Sequence, residues 1–133
     1  MPNSSEMKIK NLKKLILGTF VIVFASLFLV YAGLRTSIWT DANQFAKQAA
    51  EQYSTDKTTT LLMYIDSDEY TFKEKNKAVW AMGVLKEKNA LPKLEMMYTG
   101  EKCNHDSAIC QYELYKAIHK IRGDFKGSWQ AKN

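Results

Sequence analysis

The sequence predicts an all-α protein in which a single N-terminal transmembrane helix is followed by a short domain of about five helices. Three observations predict this class. Residues 15–34 include no charged side chain. The patterned segments after them repeat apolar residues at three- and four-residue spacing, and none alternates apolar with polar residues as a half-buried strand would. The 99 residues that follow the apolar segment are enough for one small domain with its own core.

Residues 15–34 are the predicted membrane anchor. As an α-helix they would span ~30 Å, the thickness of the hydrocarbon core of a bilayer. Four lysines lie in the leader, residues 1–14, whereas only Arg35 and Lys47 are basic in the fifteen positions after the anchor. The positive-inside rule therefore predicts a cytoplasmic leader, a single pass through the cell membrane and a C-terminal domain outside the cytoplasm.

A cleaved signal peptide is the alternative interpretation of the same segment. Val30 and Ala32 would supply the residues at −3 and −1, with cleavage before Gly33. The apolar run is longer than the ~7–15 residues usual in a signal peptide, which favours an uncleaved anchor. Both interpretations export the domain.

The net charge of +5 is concentrated next to the anchor. Residues 1–34 have a net charge of +3, from four lysines and one glutamate, whereas residues 35–133 carry 15 basic and 13 acidic side chains, a net charge of +2. A nearly neutral domain is poorly suited to neutralising a row of phosphates. The sequence therefore predicts no nucleic-acid partner, and the bilayer accounts for the basic leader.

A juxtamembrane helix is predicted within residues 35–56. It should begin at Thr40 or Asp41 and end near Tyr53, because apolar residues recur on one face between these points. The members of this face are Ala42, Phe45, Ala46, Ala49 and Tyr53. The polar residues 54–56 then interrupt the pattern and offer a cap for a second helix at about 57–65.

Two further helices are predicted before Gly100. The longer, at about 71–88, places small and apolar residues on one side, namely Ala78, Ala81, Met82 and Leu85. Asn89 caps the shorter helix, which has Pro92 in its first turn, where the missing N–H has no helical partner to lose. Gly100 should end it, since glycine readily adopts positive φ.

The last helix, at about 106–122, has the most regular amphipathic pattern in the chain. Its apolar residues are Cys110, Leu114, Ala117, Ile118 and Ile121. Gly123 is expected to end it. Residues 123–133 have no periodicity and are predicted to form a loose C-terminal tail.

Part of this domain resembles a HEAT-like helical repeat. Residues 76–85 read NKAVWAMGVL and residues 90–94 read ALPKL, similar to a family pattern of A-x-x-A-L-G-x-L followed by A-L-P-x-L. Met82 stands where the family usually has leucine, and residues 86–89 replace its usual Gly-Asp or Asp-Pro turn. The resemblance implies a HEAT-like helical domain over 57–122 and, by analogy, a surface for protein binding or scaffolding.

Cys103 and Cys110 are the only cysteines. Because both lie in the part predicted to be outside the cytoplasm, a disulfide between them is expected. Free thiols and a metal site are the alternatives, and the metal site would use Cys103, His105, Cys110 and His119 in a C-x-H-x₄-C-x₈-H series. That spacing matches no closed structural zinc type.

The sequence offers no motif for catalysis or for a cofactor. The acidic run at 66–69 has Thr71 and Lys77 where a calcium loop needs glycine and glutamate, and phosphate-binding and nucleophile motifs are absent. We therefore expect no enzyme, no cofactor and no small-molecule substrate. The predicted function is a membrane-anchored module outside the cytoplasm that binds an exported or membrane protein, and the alternative is a thiol or metal-binding protein.

Overall fold

The computed structural model describes residues 4–104 and 107–131. The chain forms two units, Met1–Ser37 and Ile38–Asn133. The described residues contain five α-helices and no strand, which confirms the all-α class. The helices are α1 (Ser4–Tyr53), α2 (Lys57–Asp66), α3 (Phe72–Leu85), α4 (Leu91–Met97) and α5 (Gln111–Arg122), and a 3₁₀ turn at Lys88–Ala90 leads into α4.

The part of α1 in the first unit presents its apolar side chains to the surroundings. Large apolar residues between 15 and 34 are about half to two-thirds exposed, and Ile22 reaches 70%. The hydroxyls of Thr19 and Ser26 donate to the carbonyls of Leu15 and Val23, so both are satisfied within the helix. In length and composition α1 is suited to crossing a membrane, and within the described chain no other helix is.

The expected helix start at Thr40 or Asp41 is wrong, because α1 continues without interruption from Ser4 to Tyr53. No glycine or proline lies between 35 and 53 to break it. Thr36 illustrates the local reason: its hydroxyl donates back to the carbonyls of Ala32 and Gly33 one turn earlier. A threonine bonded in this way is accommodated inside a helix and does not cap a new one.

The core of the second unit lies among the last turns of α1 and helices α2 to α5. α3 is central, packing against both α2 and α5, while α4 packs against α5. The largest fully buried side chains are Thr60, Leu61, Val79, Met82, Leu94 and Leu114. From α1 the small residues Ala42, Ala46 and Ala49 enter this core, as their spacing in the sequence predicts.

The helix boundaries follow local capping chemistry. Asp56 accepts hydrogen bonds from the N–H groups of Thr58 and Thr59 at the start of α2, and Thr71 and Glu74 form a reciprocal capping box at the start of α3. α3 ends at Leu85, before the expected 88, because Lys86 adopts the left-handed conformation. These caps fix where α2 and α3 enter the core. The expected cap of α4 at Asn89 is wrong, because Asn89 lies within the 3₁₀ turn and α4 begins after Ala90 without a side-chain cap.

Candidate functional site

The two cysteines meet in the loop that precedes α5. Their sulfur atoms are at disulfide-bonding distance and their Cα atoms are 4.7 Å apart. Cys110 is the N-cap residue of α5, and its N–H donates to Oδ1 of Asn76 on α3 at 2.8 Å. The N–H of Tyr112 points to the sulfur of Cys103 at 3.3 Å. The first turn of α5 is thus tied both to α3 and to the cysteine loop.

This loop explains why α5 begins at Gln111 and not near residue 106, as expected. Ser107 and Ala108 form a turn, and Ile109 is buried against the core. The side chain of Gln111 then accepts from the N–H groups of Thr99 and Gly100 and donates to the carbonyl of Met97. One glutamine therefore joins the end of α4 to the start of α5.

Of the three possible metal-site residues that the structure describes, only Cys103 and Cys110 are brought together. His105 lies outside the described residues, and Cys110 is at disulfide distance from Cys103. His119 lies nine residues beyond Cys110 on the same helix, about 13 Å along its axis, which is too far for both to ligate one ion. In residues 4–104 and 107–131 no group of three or more histidine, cysteine or acidic side chains could hold a metal.

His119 instead belongs to a cleft between α4 and α5. The cleft has a volume of about 220 Å³ and is lined by Glu95, Tyr98, Tyr115, Ile118, His119 and Arg122. Nη2 of Arg122 lies 2.6 Å from Oε1 of Glu95, and Nδ1 of His119 lies 2.7 Å from Oδ1 of Asp124. Because its charged groups are paired, the cleft suits a neutral amphipathic ligand better than a strongly charged one.

Three half-buried tyrosines form an aromatic surface that we call the tyrosine ridge. Tyr98 and Tyr115 also line the cleft, and Tyr112 lies one turn before Tyr115 on α5. The rings of Tyr98 and Tyr115 lie 6.3 Å apart. Lys116, from the same helix as Tyr112, places its ammonium 4.6 Å from the centre of that ring. The ridge thus combines flat apolar area with phenol oxygens that accept and donate hydrogen bonds.

Residues 123–131, the C-terminal segment, lie on the tyrosine ridge. Nε1 of Trp129 donates to the hydroxyl of Tyr98 at 3.1 Å, and the Trp129 ring lies 5.3 Å from that of Tyr112. The hydroxyl of Tyr115 donates to the carbonyl of Ser128 at 2.6 Å. Every tyrosine of the ridge therefore contacts this segment.

The sequence predicts a loose tail over residues 123–133. Residues 123–131, which the structure describes, form no helix or strand, yet they make these side-chain contacts. Phe125 adds another, since its ring lies 6.2 Å from that of Tyr115, and the ammonium of Lys120 lies 6.0 Å from Phe125. Burial, with Lys116 nearby, lowers the pKa of Lys120. The sequence signal for the contact between this segment and the tyrosine ridge was the presence of two aromatic residues, Phe125 and Trp129, among polar ones.

A second aromatic cluster joins the end of α1 to α2 and the turn after it. The rings of Tyr64 and Tyr70 stack at 3.8 Å, and the hydroxyls of Tyr53 and Tyr70 are hydrogen-bonded. That bond, together with burial, raises the pKa of Tyr53 to about 12. Since these groups bond to one another, this cluster is a structural support for α1 and offers no vacant site.

No family model matches the chain, and no curated protein and no solved structure is similar to it. The HEAT-like character of residues 76–94 therefore stays a prediction from their sequence pattern.

Proposed function

We propose that this chain is a single-pass membrane protein whose helical domain lies outside the cytoplasm and binds another exported or membrane protein. One observation carries the membrane-anchor part of the proposal. The same helix, α1, is apolar and exposed over residues 15–34 and supplies Ala42, Ala46 and Ala49 to the core of the second unit. A bilayer would cover the exposed apolar surface, which is far larger than a soluble monomer normally presents to water.

The orientation of the anchor is supported from both sides of the apolar segment. The lysine excess before residue 15 favours a cytoplasmic N-terminus. The sulfur atoms of Cys103 and Cys110 are at bonding distance, and disulfides persist mainly in oxidising compartments outside the cytoplasm. These two observations are independent, and both favour an exported domain.

A binding function is supported by the surface around the cleft. Arg122 and Glu95 are paired, and the tyrosine hydroxyls act as hydrogen-bonding groups. Met96, which follows Glu95 on α4, is 73% exposed. The helix packing also fits the HEAT-like proposal, in which α2–α3 and α4–α5 would form two helical pairs joined through α3 and α5. Domains of this kind present an extended helical surface to partners.

Site-specific photocrosslinking in native membranes tests the proposal. A photoreactive residue is placed at Met96 on α4 or at Arg122 on α5, and in matched controls at the exposed positions Glu51 on α1 and Lys73 on α3. We expect one discrete adduct with an exported or membrane protein from Met96 and Arg122 only. Equal adducts from all four positions, or none from any, would contradict a specific binding surface on α4 and α5.

A further inference from the structure

The tyrosine ridge already holds a peptide. Residues 124–131 cross it without regular secondary structure, and they use one indole N–H, one backbone carbonyl and two aromatic rings to do so. Peptide-binding domains combine hydrogen bonds to the main chain of the peptide with contacts to selected side chains, and both kinds of contact are present here. The ridge therefore has the chemistry of a peptide-binding surface.

The C-terminal segment is attached in a manner that allows it to leave. Gly123 (φ 84°) ends α5 and Gly127 (φ 75°) lies within the segment, so the chain turns at two residues without Cβ atoms. Most side chains of the segment are exposed. Of its two aromatic residues, Trp129 is half-buried and Phe125 is exposed. Because the buried core includes no residue of 123–131, we expect release of the segment to leave the helical core intact.

We propose that the C-terminal segment is an internal ligand of the tyrosine ridge, and that a peptide segment of the partner, carrying a tryptophan or similar aromatic anchor, displaces it. This inference rests on the proposed binding function and names the surface and the partner's chemistry. The observation that identifies the occupant is the chain's own peptide seated on the ridge. Trp129 fills the position that the partner's aromatic residue takes.

Tethering makes this internal ligand an inhibitor of partner binding. A segment joined directly to α5 competes at an effective concentration in the millimolar range, far above that of a free peptide. A peptide added in solution must therefore bind the intact chain more weakly than a chain whose own segment has been removed. The difference between the two chains measures the competition directly.

The test uses a fluorescent peptide with the sequence of residues 123–131, GDFKGSWQA, and the full chain in lipid nanodiscs. Anisotropy titrations compare the intact chain with a variant that ends at Gly123. We expect saturable binding to the shortened chain and binding at least about tenfold weaker to the intact one. In the peptide, Trp129→Ala should abolish most of the affinity, whereas Lys126→Ala, which alters an exposed side chain, should leave it within about twofold.

Full-length Trp129→Ala provides the second variant in case the shortened chain loses its fold, which circular dichroism would reveal. This variant should bind the wild-type peptide more tightly than the wild-type chain does, because its own segment competes less well. Equal binding by all chains, or no binding by either variant, would overturn the proposal. Dimers of the intact chain that disappear on shortening would identify a second copy as the occupant and would also overturn it.

This result is separable from the proposed function. A crosslinked partner at Met96 together with an absence of peptide binding would leave the binding function in place and reject the internal ligand. Peptide binding without a crosslinked partner would keep the segment as an internal ligand of the ridge and reject the binding function, together with displacement by a partner.

Discussion

Gly83 on α3 lies directly against Ala117 on α5. A Cβ atom built on Gly83 would be 2.6 Å from the Cα of Ala117 and 3.0 Å from its Cβ. The two helix backbones therefore approach each other as closely as side chains permit. This crossing fixes the position of α5, which carries two of the three ridge tyrosines.

Gly83→Ala is expected to destabilise the domain in spite of the higher helix propensity of alanine. The added methyl group meets backbone, which cannot move away as a flexible side chain can, so overpacking should lower the free energy of unfolding by about 1–3 kcal/mol. Urea denaturation of the detergent-solubilised chain measures this. Gly33→Ala is the matched control, since its Cβ would meet open space, and unchanged stability in both variants would refute the close crossing.

The cysteine pair should behave as a single bond. Cys103→Ser and Cys110→Ser should each lower the melting temperature by a similar amount, and the double variant should be no worse than either, because one bond cannot be lost twice. In the loop-entropy model, a disulfide that closes so short a ring raises the free energy of unfolding by up to about 2–3 kcal/mol.

Thiol labelling separates this outcome from the metal alternative. The denatured, unreduced protein should carry no reactive thiol, and neither His119→Ala nor a chelator should reproduce the loss of stability. Two labelled thiols per chain would show that the bond is absent, and a chelator-sensitive melting temperature would favour a metal site.

Two capping carboxylates should make the domain sensitive to acid. Hydrogen bonds from the side chain and backbone of Thr59 hold the pKa of Asp56 below its ordinary value of 3.8. Those from Thr71 hold the pKa of Glu74 below 4.5. A carboxyl group whose pKa is lower in the folded state stabilises fully above its unfolded pKa, and this stabilisation is lost as pH falls through the folded value.

We therefore expect the melting temperature to be insensitive to these groups above about pH 6 and to fall as the pH is lowered towards 3. The double variant Asp56→Asn, Glu74→Gln keeps side-chain acceptors at both caps but removes their titration. Its melting temperature should decline less steeply over the same range. Parallel curves for the variant and the wild type would contradict the assigned role of the caps.

Local patterns predicted the parts of the structure that depend on neighbours in sequence. The alanines at 42, 46 and 49 are buried because a helical period alone puts them on one face, and the cap at Asp56 follows from the residues next to it. The start of α5 could not be found in this way, since it depends on the loop at Cys103 and on a hydrogen bond from Cys110 to Asn76, 34 positions earlier.

The contact between the tyrosine ridge and the C-terminal segment could not be predicted from the sequence, for the same physical reason. Trp129 and Tyr98 are 31 residues apart, and no periodic pattern surrounds Trp129 to indicate a partner. His119 was singled out, but its actual partner, Asp124, lies beyond the glycine that ends α5. Contacts between distant residues on irregular backbone leave little local signal.

The size of the mature chain distinguishes an uncleaved anchor from a cleaved signal peptide. A chain carrying epitope tags at both ends should be recovered from membranes as one species bearing both tags. Recovery of the C-terminal tag on a chain that begins at Gly33 would show a cleaved signal peptide.

The most direct test of the central claim, a helical domain held outside the cytoplasm by one membrane span, is protease protection of this doubly tagged chain. Protease is added to intact cells or spheroplasts, and both tags are followed by immunoblot. We predict that the C-terminal tag is lost while the N-terminal tag survives on a short membrane-bound fragment. Protection of the C-terminal tag, with its loss only after the membrane is permeabilised, would contradict the claim.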